Sequence, residues 1–351
     1  MPFTIRENIP LRDLTTFRIG GPARFFCEVY TEGDLIEAVS FAQKKCAGRF
    51  FVLGGGSNVL VSDAGFGGLV ICMKIKGIIF SDENSWKNGI TTVGAGEEWD
   101  SFVKKTIEDG YGGLENLSLI PGTVGAAPVQ NIGAYGTEVA AAIFSVRAYD
   151  TETGTWKLFK KDECEFKYRD SFFKKTKNSS GQARYIITEV SFTLSKGAKP
   201  NISYKDIHDY FEKKGTTEPS LVQVREAVIS IRKVKLPDIA VVGTAGSFFK
   251  NPIIKVEDFE ALKKRYPDLP GFSEKTNPGF IKVPLAWIID TICGYRGISQ
   301  GNVGTYKNQA LVLVNNGNAT FLDVTIFASE ITAKVKEMTG IDIEPEVQFL
   351  V

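Results

Sequence analysis

The hydrophobic positions of this chain recur at helical spacing in several well-separated segments. In residues 31–46, apolar side chains repeat every three or four positions after Thr31 and Asp34, which form a predicted capping pair. A second segment ends at Gly110, a residue type favoured just beyond the last turn of a helix, and a third begins at the capping residue Ser220. The pattern predicts helices over residues 31–46, 100–110, 220–236, 256–267 and 321–340.

Other segments are short apolar or alternating runs bounded by glycine turns, which are typical of β-strands. Strands are predicted within residues 49–53, 58–74, 89–99, 142–150, 154–159, 183–194 and 310–316. The C-terminal tail also alternates, with its apolar residues on one predicted strand face and its glutamates on the other: Ile341, Ile343, Val347 and Phe349 against Glu344 and Glu346. Helices and strands mixed in this way predict an α+β fold.

The composition is that of a globular protein with more than one lobe. The 351 residues are 43% hydrophobic and 24% charged, and a single hydrophobic core stops growing at about 250–300 residues. The 42 basic and 41 acidic residues form no block of like charge, so neither a nucleic acid nor a membrane surface is an expected partner. The charged N-terminal segment lacks the apolar stretch of a signal peptide, and the five cysteines are scattered. A cytoplasmic protein with reduced thiols is therefore expected.

The chain contains a single histidine, which limits the chemistry it can support. His208 lies in a polar stretch and is predicted to be a solvated helix residue, so no histidine-based metal site is expected. Ser247, in the segment GTAGSFFKNP, therefore lacks a base that could activate it as a nucleophile. From these residues alone, the segment fits a serine hydrolase poorly and an ordinary tight turn well.

Two glycine-rich segments are candidate ligand loops. LGGGSNVL, residues 53–60, follows a predicted strand, and its glycines let backbone N–H groups converge on an anion beside Ser57 and Asn58. A hairpin turn fits this segment equally well. PGTVGAAPVQNIGAYG, residues 121–136, is long for a structureless loop, and Gln130 and Asn131 can bond the edge of a ring. Together the two loops favour a dinucleotide ligand.

Two charged motifs are candidate substrate contacts. In YRDS, residues 168–171, the planar guanidinium of Arg169 suits a carboxylate, although a surface Arg–Asp pair would have the same sequence. In the tail motif EPE, Glu344 and Glu346 share a predicted strand face, which fits either a functional site or an exposed edge strand.

These segments occur together in a diagnostic order. LGGGSNVL, ENLSLIPGTVGAAPVQNIGAYG, YRDSFFK, GTAGSFFKNP, PLAWIID, QALVLVN and EPEVQF follow one another from residue 53 to the end. This set resembles the UDP-N-acetylenolpyruvoylglucosamine reductases, the MurB family of flavoenzymes, and the region around Tyr204 resembles the type I members, which carry a tyrosine loop over the substrate. The resemblance implies an FAD-binding lobe of the vanillyl-alcohol-oxidase (PCMH) type over residues 10–198, built of two subdomains. It also implies a substrate-binding lobe over residues 199–351, whose C-terminal strand returns to the active site.

The resemblance further implies the cofactors and the reaction. FAD would be bound non-covalently and reduced by NADPH. The enolpyruvyl ether of UDP-N-acetylglucosamine enolpyruvate would then be reduced to UDP-N-acetylmuramate, a peptidoglycan precursor needed for cell-wall synthesis and division. The residues implied to wrap the FAD are Gly54, Gly55, Gly56, Ser57, Asn58, Pro121, Gly122, Gly125, Gln130, Asn131, Ile132, Gly133 and Ala134.

The same motif match implies three catalytic residues. Ser247 would give a proton to the substrate carbon next to the one that receives the hydride. Arg169 would hold the substrate carboxylate, and Glu346 would assist across it, most effectively when protonated. The implied substrate-binding residues are Tyr168, Tyr204, Lys235, Asn251 and Gln309.

Some positions depart from the family pattern or have a second explanation. Thr244 stands where the motif often has asparagine, and Gln348 stands where the family supplies an arginine. Lys235 ends a basic cluster with Arg232 and Lys233, which a solvated helix end would also explain.

Two alternatives to the reductase remain. A carbohydrate or alcohol oxidase on the same flavin fold would often tether FAD through histidine or cysteine, which these loops lack. A non-catalytic sugar-nucleotide binder would not need Ser247, Arg169 and Glu346 together. We expect a monomer that acts on small molecules.

Overall fold

The computed structural model describes residues 3–81, 88–274 and 277–351, and the chain forms two compact units. Unit 1 comprises the described residues up to Ile9, together with Ala23–Gly55 and Phe66–Lys233. Unit 2 comprises Pro10–Pro22, Gly56–Gly65 and Val234–Val351. The glycine run at residues 54–56 is thus divided between the units. The lobes expected over residues 10–198 and 199–351 remain a prediction.

The five predicted helices are present, and the predicted caps form. The Thr31 hydroxyl accepts a hydrogen bond from the Asp34 amide while the Asp34 carboxylate accepts one from the Thr31 amide, which completes a capping box. Ser220 accepts a hydrogen bond from the Gln223 amide, and Gly110 has φ of 82°. His208 lies on an additional helix with 60% of its side chain exposed, which confirms its solvated position. The helices are α1 (Glu32–Lys45), α2 (Trp99–Glu108), α3 (Phe172–Lys175), α4 (Lys205–Lys213), α5 (Leu221–Lys235), α6 (Val256–Arg265), α7 (Leu285–Trp287) and α8 (Phe321–Thr339).

The predicted strand regions are confirmed, and further short strands join them. The strands are β1 (Arg6–Pro10), β2 (Pro22–Val29), β3 (Phe50–Leu53), β4 (Val59–Val61), β5 (Phe66–Met73), β6 (Ile78–Ser81), β7 (Asn88–Gly94), β8 (Tyr111–Gly112), β9 (Gly133–Ala134), β10 (Thr137–Glu138), β11 (Ile143–Asp150), β12 (Thr155–Lys160), β13 (Tyr185–Lys196), β14 (Gly243–Ser247), β15 (Ile253–Lys255), β16 (Phe272–Ser273), β17 (Phe280–Lys282), β18 (Ser299–Gln300), β19 (Val303–Tyr306), β20 (Gln309–Asn315) and β21 (Gln348–Leu350).

Unit 1 is built on two main sheets. One has the order β1-β2-β5-β3, in which β2 and β3 both pair parallel to β5 and α1 connects β2 to β3. The other has the order β12-β11-β13-β7-β6, is antiparallel, and pairs with β8 through β13. Buried side chains of both sheets, such as Ile71 and Phe192, share one hydrophobic cluster with Trp99 and Phe102 of α2. This packing fixes the loops that leave the two sheets.

Unit 2 has a separate core around the antiparallel sheet β14-β20-β19-β18. The strand predicted at 310–316 is β20, whose five central residues are buried. Helix α8 contributes Val324, Phe327 and Ile331 to the core. A parallel pair joins β21 at the C-terminus to β4, just after the glycine run. In the described part of the chain, no helix combines the length and apolar character needed to cross a bilayer.

The tail departs from the predicted alternation. Ile341, Ile343 and Val347 are buried as expected, but the regular strand begins only at Gln348, after a bend at Val347. The bend changes the parity, so Phe349 is 42% exposed and Leu350 is buried instead. The prediction that Phe349 shares the buried face is therefore wrong.

Candidate functional site

The predicted site residues fall in both units. Those in unit 1 are Gly54, Gly55, Pro121, Gly122, Gly125, Gln130, Asn131, Ile132, Gly133, Ala134, Tyr168, Arg169 and Tyr204. Those in unit 2 are Gly56, Ser57, Asn58, Lys235, Ser247, Asn251, Gln309 and Glu346.

In unit 1 the two glycine-rich loops touch backbone to backbone. A Cβ on Gly55 would stand 2.7 Å from the Gly122 Cα, and one on Gly54 would stand 2.7 Å from the Thr123 Oγ1. A Cβ on Gly125 would likewise stand 2.5 Å from the Ala95 Cβ. Side chains are therefore excluded where the two loops pack against each other.

Asn131 organises the 121–136 loop from inside. Its side chain donates to the Glu138 carboxylate at 2.8 Å and to the Lys167 carbonyl at 3.0 Å, and it accepts from the Ala140 amide at 3.1 Å. The residue is fully buried with φ of 46°. Because both amide protons are used within the protein, the side chain shapes the loop.

The YRDS motif is hydrogen-bonded to the 121–136 loop. The Arg169 Nη2 donates to the Gly133 carbonyl at 2.7 Å, and the buried Ser171 hydroxyl donates to the Val129 carbonyl at 2.6 Å. Lys167 and Asp170 exchange backbone hydrogen bonds across the turn, which gives Arg169 a left-handed φ of 53°. Such a conformation costs about 1 kcal/mol or more for a non-glycine residue. Its presence identifies Arg169 as a precisely held cation beside the loop.

Unit 1 also contains a buried charge network that sequence reasoning missed. Asp100 receives hydrogen bonds from both terminal nitrogens of Arg225, at 2.6 and 2.9 Å, and another from the Leu119 amide. Burial opposes ionisation of Asp100, but these hydrogen bonds and the Arg225 charge outweigh it, so the pKa of the carboxyl is lowered. In the sequence, the signal for this network was that Arg225 and Arg232 lie on the same face of the predicted helix.

Arg232 is a second half-buried cation close to this network. It donates a hydrogen bond to the Tyr135 hydroxyl, and burial lowers the pKa of its guanidinium against the opposing effects of Tyr135 and Asp100. Within the described residues its Nε is buried without a hydrogen-bond partner. The explanation of Arg232 as part of a solvated helix end is therefore wrong, because the side chain turns inward.

These features fit the FAD that the resemblance implies. The buried Arg232 Nε lacks a hydrogen-bond partner among the described residues and lies next to Tyr135 of the 121–136 loop, so it is a donor available to an electron-rich ligand. The residues present thus suit an electron-rich ring and its phosphates.

In unit 2, Ser247 ends β14 at an irregularity. Thr244 pairs with Val314 and Ser247 with Val312, so the ladder shifts register between them. Gly246 occupies this bulge with φ of 75°, and its amide donates to the Thr244 hydroxyl at 3.1 Å. Bulges re-aim side chains, and this one leaves Ser247 half-buried at the strand end.

The EPE motif pairs with the residues that follow Ser247. The Glu346 amide donates to the Phe248 carbonyl at 2.7 Å, and the Lys250 amide donates to the Glu344 carbonyl at 3.0 Å. The tail and the SFFK segment are therefore antiparallel neighbours, with Glu346 opposite the residue next to Ser247. The sequence had separated these motifs by almost 100 residues.

The remaining predicted residues of unit 2 support this arrangement. Asn58 donates to the Glu346 carbonyl at 3.2 Å and accepts from the Gln348 amide, so the segment that follows Gly56 contacts the tail. Asn251 accepts from the Leu285 amide at 2.9 Å, which fixes the start of α7. Lys235 is the last residue of α5, and Gln309 the first of β20.

Comparison with known proteins identifies the chain's relatives. Residues 238–350 match the C-terminal domain model of UDP-N-acetylenolpyruvoylglucosamine reductase. Residues 23–158 match an FAD binding domain model. A solved structure of this reductase from Thermus caldophilus aligns over the whole of both chains with a TM-score of 0.66 at 24% identity, which supports the α+β fold.

Relatives with higher identity carry the same name. UDP-N-acetylenolpyruvoylglucosamine reductase from Paraburkholderia xenovorans is 41% identical over 96% of this chain and 95% of its own length. The protein of that name from Pseudomonas syringae pv. syringae is 39% identical over 99% of both. At this identity and coverage, the chain belongs to the UDP-N-acetylenolpyruvoylglucosamine reductase family.

Proposed function

We propose that this protein reduces the enolpyruvyl ether of UDP-N-acetylglucosamine enolpyruvate to UDP-N-acetylmuramate, with NADPH as reductant and FAD as cofactor, in peptidoglycan precursor synthesis. It would therefore act as a UDP-N-acetylmuramate dehydrogenase. Family membership supports the reaction. The pairing of Glu346 with Phe248 is the single geometric observation that carries the proposal, because it brings two predicted catalytic motifs together.

Bound FAD would supply the hydride for the substrate alkene. Gly54, Gly55 and the 121–136 loop would hold the cofactor, as the motif match implies, and the contact between the two segments supports a shared site. Asn131 would keep the loop in shape through its three internal hydrogen bonds. The Gly56, Ser57 and Asn58 contributions are proposed from the motif.

Ser247 would donate a proton to the carbon adjacent to the reduced alkene carbon. A proton donor to a strongly basic carbanion needs placement, and it needs no histidine to activate it. Gly246 allows the bulge that directs the serine, while Phe248 and Phe249 are each 1% exposed and anchor the following strand. The serine would recover its proton from water after the reaction.

Arg169 and Glu346 would act on the substrate carboxylate. Hydride addition pushes negative charge into this carboxylate, and a preorganised cation stabilises such charge. Arg169 is preorganised by its bond to Gly133. A protonated Glu346 could donate a hydrogen bond, whereas an ionised one would repel the developing charge. A pH–rate profile that Glu346→Gln leaves unchanged would contradict this protonated state.

The other substrate contacts are proposed from the motif match. Tyr168, Tyr204, Lys235, Asn251 and Gln309 would bind the substrate, with Lys235 paired to the UDP diphosphate. The cytoplasmic location and the monomeric state remain predictions.

One experiment separates this proposal from its alternatives. The purified protein should carry non-covalent FAD, and its 450-nm absorbance should bleach on anaerobic addition of NADPH. Addition of UDP-N-acetylglucosamine enolpyruvate should restore the colour. Restoration by oxygen and an alcohol-oxidising activity would instead indicate an oxidase, and a colourless protein that binds the UDP-sugar would indicate a non-catalytic binder.

A further inference from the structure

Tyr204 contacts an aromatic side chain of the 121–136 loop. Its ring meets that of Tyr135 edge to face, with centroids 5.5 Å apart and planes at 89°. The next residue, Gly136, also faces Tyr204, since a Cβ there would lie 3.6 Å from the Tyr204 Cδ2. Tyr204 is otherwise 42% exposed. The orientation of the Tyr204 ring therefore depends largely on its packing against Tyr135.

Tyr135 is itself held rigidly. Its backbone has a left-handed φ of 48°, and its hydroxyl accepts a hydrogen bond from the buried Arg232. Its ring packs against a cluster that includes Ile207 of α4 and Val228 of α5. Burial raises the pKa of Tyr135 to about 12, although Arg232 opposes the shift, so the hydroxyl stays neutral. A rigid ring of this kind can orient a more mobile neighbour.

Hydrogen bonds to backbone carbonyls also link the two segments that carry the tyrosines. The buried Asn116 side chain donates to the carbonyls of Tyr135 and Asn201, each at 3.0 Å. The Asn201 Oδ1 in turn accepts from the Ser203 amide at 3.1 Å and the Ser203 hydroxyl at 2.7 Å. This turn leads directly into Tyr204, the residue before α4. The segment that carries Tyr204 is thus fixed to the loop at its backbone and at its ring.

We propose that Tyr135 is a positioning residue that holds Tyr204 in the orientation required to bind the UDP-sugar substrate. The inference rests on the substrate-binding role proposed for Tyr204. Tyr135 need not touch the substrate, because its effect passes through the ring of Tyr204. The expected consequence is specific: loss of Tyr135 weakens substrate binding only while Tyr204 is present.

A double-mutant cycle on the FAD-loaded enzyme tests this coupling. The KM for UDP-N-acetylglucosamine enolpyruvate and kcat are measured for wild type, Tyr135→Leu, Tyr204→Leu and the double variant. An edge-to-face aromatic pair corresponds to about a 2- to 10-fold effect, so Tyr135→Leu should raise KM by that factor with kcat within about twofold. In the Tyr204→Leu background the same change should leave KM unaltered.

Two readouts keep the outcomes distinct. The flavin-to-protein ratio is measured for all four proteins and kcat is expressed per bound flavin, so that loss of FAD is separated from weaker substrate binding. If the KM effects of the two substitutions multiply, or if only Tyr204→Leu raises KM, the positioning role is refuted. If Tyr204→Leu leaves KM unchanged while the enzyme still turns over, the substrate role of Tyr204 fails and the reductase assignment survives.

A second variant covers the case in which Tyr135→Leu loses FAD. Asn201→Ala changes an exposed residue and removes its side-chain hydrogen bonds to Ser203 and Thr137, while every residue of the 121–136 loop is kept. It should raise KM by a comparable factor, again only when Tyr204 is intact. An equal rise in the Tyr204→Leu background would overturn the proposal.

Discussion

The contact between Gly55 and Gly122 allows a sharp test of the glycine loops. Alanine at position 55 would place its Cβ 2.7 Å from the Gly122 Cα and 3.2 Å from the Gly122 N and C, inside the 3.4 Å at which ordinary contact begins. All three atoms belong to the backbone, so no flexible side chain can move aside. Gly55 is not among the residues with positive φ, and alanine would therefore be tolerated there apart from this contact.

The expected cost follows from overpacking. Forcing an extra methyl into a close contact costs about 1–3 kcal/mol. If the loops separate to accommodate it, affinity for FAD should fall by about 5- to 150-fold. We therefore expect Gly55→Ala to be purified with substoichiometric FAD, measured by the ratio of flavin to protein absorbance, and to release flavin fluorescence on dilution.

Gly33→Ala is the matched control. It lies in α1, has no positive φ, and its new Cβ would meet only the Thr31 Oγ1 at 3.6 Å. Both substitutions reduce the entropy of the unfolded chain equally. The difference in stability and FAD content between the two variants therefore reports the loop contact alone. Gly33→Ala should retain FAD and gain about 0.5–1 kcal/mol of stability. Full FAD content in Gly55→Ala, with thermal stability equal to that of Gly33→Ala, would refute the close approach of the loops.

Three further predictions concern stability and thiol chemistry. Asp100→Asn should cost about 2–3 kcal/mol in urea unfolding at neutral pH because it leaves Arg225 buried without its ion partner. Since the folded pKa of Asp100 is lowered, its contribution is present above about pH 4 and is lost as the pH falls through the folded pKa, so the difference from wild type should shrink at pH 3. Thr31→Ala should cost about 1 kcal/mol in thermal unfolding, and Thr31→Ser should restore most of it; equal stability of all three would argue against the capping box. A thiol reagent should label the half-buried Cys46 before Cys27, because burial raises the pKa of Cys27 to about 12; faster labelling of Cys27 in the native protein would contradict its burial.

Local patterns in the sequence were sufficient for most elements. The caps at Thr31 and Ser220 depend on hydrogen bonds within a few residues, so the sequence that forms them is contiguous. The glycine run at residues 54–56 was likewise visible as a segment without side chains. Such features require no knowledge of distant partners.

Features set by distant contacts were not predictable in this way. Arg225 finds its partner Asp100 from 125 residues away, and only the fold reveals that pair. The face assigned to Phe349 was wrong because the tail bends at Val347, just before β21 pairs with β4. The pairing of Glu346 with Phe248 likewise depends on register, which alternation alone leaves open.

The proton transfer assigned to Ser247 is the central claim, and transient kinetics on Ser247→Ala tests it most directly. The control is Ser329→Ala, which removes an exposed hydroxyl on α8 of the same unit. We expect flavin reduction by NADPH to proceed at the wild-type rate in both variants. Reoxidation by UDP-N-acetylglucosamine enolpyruvate should slow by about 100- to 10,000-fold in Ser247→Ala alone, the usual range for loss of a general acid. Reoxidation at the wild-type rate in Ser247→Ala would contradict the account.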